Sequence, residues 1–112
     1  MVTVAVVQGA YYLLTGAWSL LHVESFMALT GPKTDVWLVK TVGVLVSVIG
    51  LALLLAGVGG QVEPGLIFIA IGSALGLLAI EVAYTLQRVI PAIYLADAVL
   101  EGGFVLWWVA LR

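Results

Sequence analysis

The chain has 112 residues, of which 64% are hydrophobic and 9% charged, with a formal net charge of −2 and a mean hydropathy of +1.28. Soluble domains carry about a quarter charged residues, so composition excludes an ordinary water-soluble domain, and no basic stripe is present to bind nucleic acid. The absence of cysteine removes disulfides, thiol catalysis and thiolate metal sites.

Four apolar runs take up nearly the whole sequence, at roughly 3–22, 35–57, 64–86 and 91–111. Each is long enough to cross a hydrocarbon core of ~30 Å, which needs ~20 helical residues. None alternates with the period of two expected of lipid-facing strands. The fold expected is all-α, a single domain over residues 1–112 forming an integral membrane four-helix bundle.

The first run lacks a basic lead segment and is too long for a signal-peptide core, so it is expected to remain as the first helix. Within it Gln8, Tyr12, Thr15, Ser19 and His22 fall at 4-3-4-3 spacing and share an arc of about 80°. The connector 23–34 contains the turn signal Gly31-Pro32, with Thr34 as a helix N-cap. Its "SFMAL" stretch is short enough to lie on a membrane surface. The second run offers Trp37, Lys40 and Ser47. Connector 58–63 then leads to Pro64, which suits a first helical turn. The third run carries Ser73, Glu81, Tyr84 and Arg88. Pro91 opens the fourth, where Tyr94, Asp97, Glu101 and Trp108 share an arc of about 60°.

Four crossings place the first and third connectors on one side of the membrane. Glu24, Lys33, Asp35, Lys40, Glu81, Arg88, Asp97 and Glu101 all belong to that half, against Glu63 and Arg112 in the other. On a rise of about 1.5 Å per residue, Asp97 lies roughly 9 Å and Glu101 roughly 15 Å below the start of the fourth helix. A charge at such depth costs about 2.5–3.5 kcal/mol on insertion scales, so these side chains must face inward. Four polar stripes meeting in the bundle predict a polar cavity open to the charged side.

The residues expected to bind a ligand or move protons there are His22, Lys40, Glu81, Tyr84, Tyr94, Asp97 and Glu101. Asp97 and Glu101, one turn apart, are suited to sharing a proton, and Lys40 is expected to be the acids' counter-charge. His22 at the mouth is suited to proton shuttling; a plain interfacial hydrogen bond is the other reading. Trp18, Trp37, Tyr84, Tyr94, Trp107 and Trp108 form either an interfacial aromatic belt or cation-binding cavity walls. Gly43, Gly50, Gly72, Gly76, Gly102 and Gly103 suit close helix packing. No Glu-x-x-His pair of the di-iron kind occurs, and no metal site is expected. No P-loop or dinucleotide fingerprint points to a cofactor, whose identity stays unknown.

The stretches "LLHVESFMALTGPKTDVWLVKTVG" and "YLADAVLEG" resemble those of small bacterial four-helix membrane proteins of unassigned function, and more loosely the DoxX-like group. A weaker likeness is to the EXPERA (emopamil-binding) group. There, His22, Glu81, Asp97 and Glu101 would be the corresponding residue types, but the motif order differs and no catalytic role carries over. These likenesses imply a bacterial inner (plasma) membrane location. The positive-inside rule, applied to Lys33, Lys40 and Arg88 against Arg112, puts the termini outside.

The function expected is binding of a lipophilic ligand (cationic, lipid-like or quinone-like) in an intramembrane cavity. Two alternatives stay open: a proton-coupled small transporter acting as a homodimer, and an accessory or scaffold subunit. Small multidrug transporters match in length but rely on a first-helix glutamate that this chain lacks. Whether the protein is an enzyme is left open. Besides that ligand and the homodimer, the bilayer is the one partner expected.

Overall fold

A computed structural model of the protein describes residues 2–30 and 35–111. The expected Gly31-Pro32 turn, the Thr34 cap and the charges Lys33 and Arg112 lie outside the described residues. The described chain is all-helical: α1 Val2–Leu21, α2 Val23–Thr30, α3 Val36–Gly59, α4 Pro64–Leu86 and α5 Tyr94–Ala110, with no strand among the described residues. Three of these, α1, α3 and α4, are long and apolar enough to cross a membrane, consistent with an integral membrane protein. The fourth run is shorter than its sequence suggests. Pro91 heads a turn in which the Tyr94 amide donates to the Pro91 carbonyl, and regular helix begins only at Tyr94. The 17 residues of α5 span about 26 Å.

The expected first connector contains α2. His22 caps it: the Ser25 amide donates to His22 Nδ1 at 3.2 Å, and the Ser25 hydroxyl donates to the His22 carbonyl at 3.0 Å. Glu24 adds a negative charge in the first turn, where the helix dipole favours it. Trp18 fastens α2 to α1 through its indole N–H on Ser25 Oγ at 2.7 Å and an edge-on contact with Phe26. At the far end of α3, Gly60 (φ 71°) takes the left-handed position of a Schellman cap, with the Gln61 amide donating to the Ala56 carbonyl. The end of α4 closes by the same geometry, with Arg88 at φ 61°.

Helices α1 and α3 run antiparallel with their backbones in contact. A Cβ placed on Gly9 would sit 2.5 Å from the Leu54 nitrogen, and one on Gly50 would sit 2.5 Å from the Leu13 nitrogen. Gly16 meets Gly43 and Ser47, and Gly57 meets Val2 and Val6, in the same way. Glycine thus recurs every seventh residue on both helices, the spacing that keeps one face turned to a partner. Gly72, Gly76, Gly102 and Gly103 behave otherwise: a Cβ on any of them meets nothing within 4 Å. The expectation of close packing holds within the chain for Gly43 and Gly50 and fails for these four.

Helices α4 and α5 form the second close pair. The core, Val4, Ala5, Tyr12, Leu53, Ala70, Phe104 and Trp108, fills the half of the molecule that holds the start of α1 and the end of α5. Outside it the surface is greasy: Phe68 is 78% exposed, Val99 75% and Leu14 71%. Helices apolar on all sides belong in lipid. The 40 Å long axis matches a bilayer with its headgroups, about 40–45 Å.

Candidate functional site

The other half of the molecule is open. A pocket of about 490 Å³ lies between α1, α2, the first turns of α3, the end of α4 and the start of α5. Most of its wall is apolar. Val39, Val42 and Val46 of α3 and Phe26 and Leu29 of α2 form one side, and Glu81, Asp97 and Glu101 are set into the opposite side beside Tyr11 and Tyr12 of α1.

These five polar side chains arise from three helices by simple register. Tyr11 and Tyr12 are consecutive, about 100° apart on α1, and each reaches a different acid on α5. The Tyr11 hydroxyl donates to Asp97 Oδ1, and the Tyr12 hydroxyl donates to Glu101 Oε2 at 2.5 Å. Asp97 and Glu101 are four residues apart, so both point at α1. Glu81 joins the same wall from α4. Glu101 is fully buried and Glu81 only 6% exposed. One oxygen of each, Oε1, is sealed from water with no hydrogen-bond partner.

Beneath the cluster, Gln8 joins three helices. Its amide donates to the Ala70 carbonyl of α4 at 3.0 Å, and its oxygen accepts the Trp108 indole N–H of α5 at 2.6 Å. Phe104 lies beside both tyrosines, tilted to Tyr11 and edge-on to Tyr12, and shares the core with Trp108. Gln8 is completely buried and forms part of a plug between the pocket and the opposite end.

Of the residues expected at the site, Glu81, Tyr94, Asp97 and Glu101 line this pocket, whereas His22, Lys40 and Tyr84 do not. Lys40 is exposed on α3 and absent from the wall that holds the acids; Asp97 and Glu101 are met instead by the tyrosine hydroxyls. His22 is exposed and its Nδ1 caps α2. Tyr84 is 40% exposed. The polar cavity expected is instead a largely apolar pocket with one polar wall.

Tyr11 escaped the sequence reading because it lies off the 8-12-15-19 stripe. The available signal was the doublet itself: two phenols near mid-membrane need acceptors, and the carboxyls lacked partners. The three carboxyls do not converge as a metal site, since no group of three His, Cys, Asp or Glu among the described residues is placed to hold an ion. Comparison with protein-family models, with curated proteins and with solved structures finds no match to this chain.

Proposed function

We propose that the chain is a four-crossing membrane protein that takes a lipophilic small molecule into its intramembrane pocket. The observation that carries this reading is a pocket of about 490 Å³ with an apolar wall facing a short polar one. Small-molecule sites typically enclose ~300–1,000 Å³ and pair apolar lining with a few fixed polar groups. A scaffold subunit has no use for such a void. Passage through the bundle is opposed by the other half, where Val4, Leu53, Gln8 and Trp108 are all fully buried and Gln8 has both ends of its amide bonded.

In this reading α5 completes the crossing begun at Pro91, and the pocket end faces the cytoplasm, because Lys40 and Arg88 lie at that end. The loose likeness to DoxX-like proteins fits the same architecture. The experiment is saturable binding of a neutral lipophile such as dodecanol to the protein in zwitterionic nanodiscs, against empty nanodiscs. Val39→Trp and Leu77→Trp, which push bulk into the pocket from α3 and α4, should abolish saturation while leaving the helical circular dichroism intact. Binding unchanged in both variants would overturn the proposal.

A further inference from the structure

The acids stand largely behind the pocket surface. Glu101 is fully buried and Glu81 nearly so, and the Oε1 atom of each is sealed from the cavity as well as from water. Asp97 is partly exposed, with Oδ1 taken up by the Tyr11 hydroxyl. What the cavity presents is therefore mostly carbon. The same wall is uncovered on its outer side. Val42 of α3 and Leu100 of α5 line the pocket and are still 51% and 47% exposed, and Leu29, Leu38 and Ile93 are lining residues exposed in the same way. The cause lies in the packing: α1 with α3 and α4 with α5 form two close pairs, and few contacts join one pair to the other.

Depth decides what lies beyond that open side. Val42 and Leu100 sit six residues into their helices, about 9 Å below the helix starts, within the hydrocarbon of a spanning bundle. The lining runs from Tyr11 to Ser19 on α1 and from Leu38 to Val46 on α3, about 12 Å of helix. One leaflet contributes ~15 Å to a ~30 Å core, so the pocket has nearly the depth of one leaflet. An apolar cavity does not hold water, and left empty it forfeits the dispersion contacts of its lining. The material at its open side is acyl chain. We propose that the pocket takes one acyl chain of a bilayer lipid, sideways from the leaflet on its own side, while the headgroup and the second chain stay in the bilayer. The proposal rests on the pocket being a ligand site in a membrane-spanning bundle. It names that ligand's source and the part recognised: an alkyl chain lying against Val39, Val42, Val46 and Leu77, with no bond to the Oε1 atoms of Glu81 and Glu101.

The test is photolabelling in phosphatidylcholine nanodiscs doped with the same lipid carrying a diazirine midway along one chain, with labelled residues located by mass spectrometry. Leu14 and Val99, both largely exposed, report the surrounding lipid. Val46 and Leu77 line the pocket and should be labelled as well. Val39→Trp should cut the label at Val46 and Leu77 about tenfold, the effect of overfilling the site, and leave Leu14 and Val99 unchanged. Val42→Trp, at an exposed position that tolerates bulk, repeats the test should Val39→Trp fail to fold. Label confined to Leu14 and Val99, with dodecanol still binding saturably and lost in Val39→Trp, would overturn the acyl-chain proposal and leave the pocket standing. Label at Val46 and Leu77 that neither tryptophan reduces would also overturn it, since that label would come from lipid outside the pocket. No label at Val46 and Leu77 and no saturable binding of dodecanol would overturn the proposal and the pocket reading together.

Discussion

Helix α1 meets α3 and α5 in opposite ways. Toward α3 it presents Gly9 and Gly16, and the two backbones close until there is no room for a methyl group. Toward α5 it presents Gln8, Tyr11 and Tyr12, long side chains that reach Trp108, Asp97 and Glu101 across a gap. The first seam gains dispersion contacts along its length, which is what drives helix association in lipid, where tails are as apolar as leucine. The second is held at its polar tips. A seam held at the tips keeps its helices apart, and the pocket opens between them. The comparison teaches that the pocket's width is set by tyrosine length on one side of α1 while rigidity is set by glycine on the other.

The largest break in that comparison is to thicken the glycine seam. Gly50→Val places its Cβ 2.5 Å from a backbone nitrogen of α1, where nothing can rotate away. The expected cost is about 3 kcal/mol or more, the upper end of overpacking, read as a fall in thermal midpoint in detergent. Gly76→Ala on α4 meets open space and should gain up to about 1 kcal/mol from helix propensity. Equal effects at the two positions would mean that α1 and α3 do not meet through glycine.

Next comes the polar seam. Gln8→Leu keeps the volume but orphans the Trp108 indole N–H and removes a donor from the Ala70 carbonyl. Each buried group left unbonded costs about 1–3 kcal/mol. Adding Trp108→Phe removes the orphaned donor, so the double variant should lose less than the sum of the singles. Strict additivity in thermal unfolding would deny that the two side chains are bonded.

Within the pocket wall the two tyrosines should differ. Tyr12 is 1% exposed and bonded to a fully buried acid, so Tyr12→Phe should cost about 1–3 kcal/mol, the range for leaving a buried polar group unbonded. Tyr11 is only partly buried, and Tyr11→Phe should cost less, because water can replace its hydroxyl at Asp97. Unfolding midpoints of the two variants in the reverse order would place the sealed part of the wall at Asp97 instead of Glu101.

Much of this was legible from residue type and period, and the part that was not has a physical reason. Hydropathy alone marks the spans, and Pro64 to Leu86 is helix α4 from end to end. The cost of burying a carboxyl is enough to turn Glu81 and Glu101 inward, and both are buried. Helical period, however, gives the face of one helix and not the neighbour that face meets. Tyr12, Asp97 and Glu101 were therefore legible as inward-facing, while the pairing of Tyr12 with Glu101 and of Tyr11 with Asp97 was not. The eight residues of α2 are too few to show a period, and its cap comes from a histidine, outside the usual Ser, Thr, Asp and Asn. Gly72 and Gly76 form the more familiar small-residue motif, yet the seam in this chain runs through the heptad series 9-16 and 43-50-57, which is visible only when the two helices are read against each other.

The smallest expected effect is the sharpest test of how the acids are satisfied. By charge count alone Lys40 is the one cation deep enough to neutralise Glu81, Asp97 and Glu101, and its loss should then leave buried carboxylates unpaired at a cost of about 3–5 kcal/mol. The structure gives Lys40 a different place: exposed, about one turn into α3, and absent from the wall that holds the acids. From there its long stem can lie along the helix and carry the ammonium to the headgroup level. Lys40→Gln should therefore change the unfolding midpoint by no more than about 0.5 kcal/mol, the range for exposed substitutions. Its effect should also be additive with that of Glu81→Gln, since the two side chains do not interact. A loss of several kcal/mol in Lys40→Gln, relieved by Glu81→Gln in the double variant, would return the ion pair to the bundle. The tyrosines would then lose their standing as what satisfies the acids.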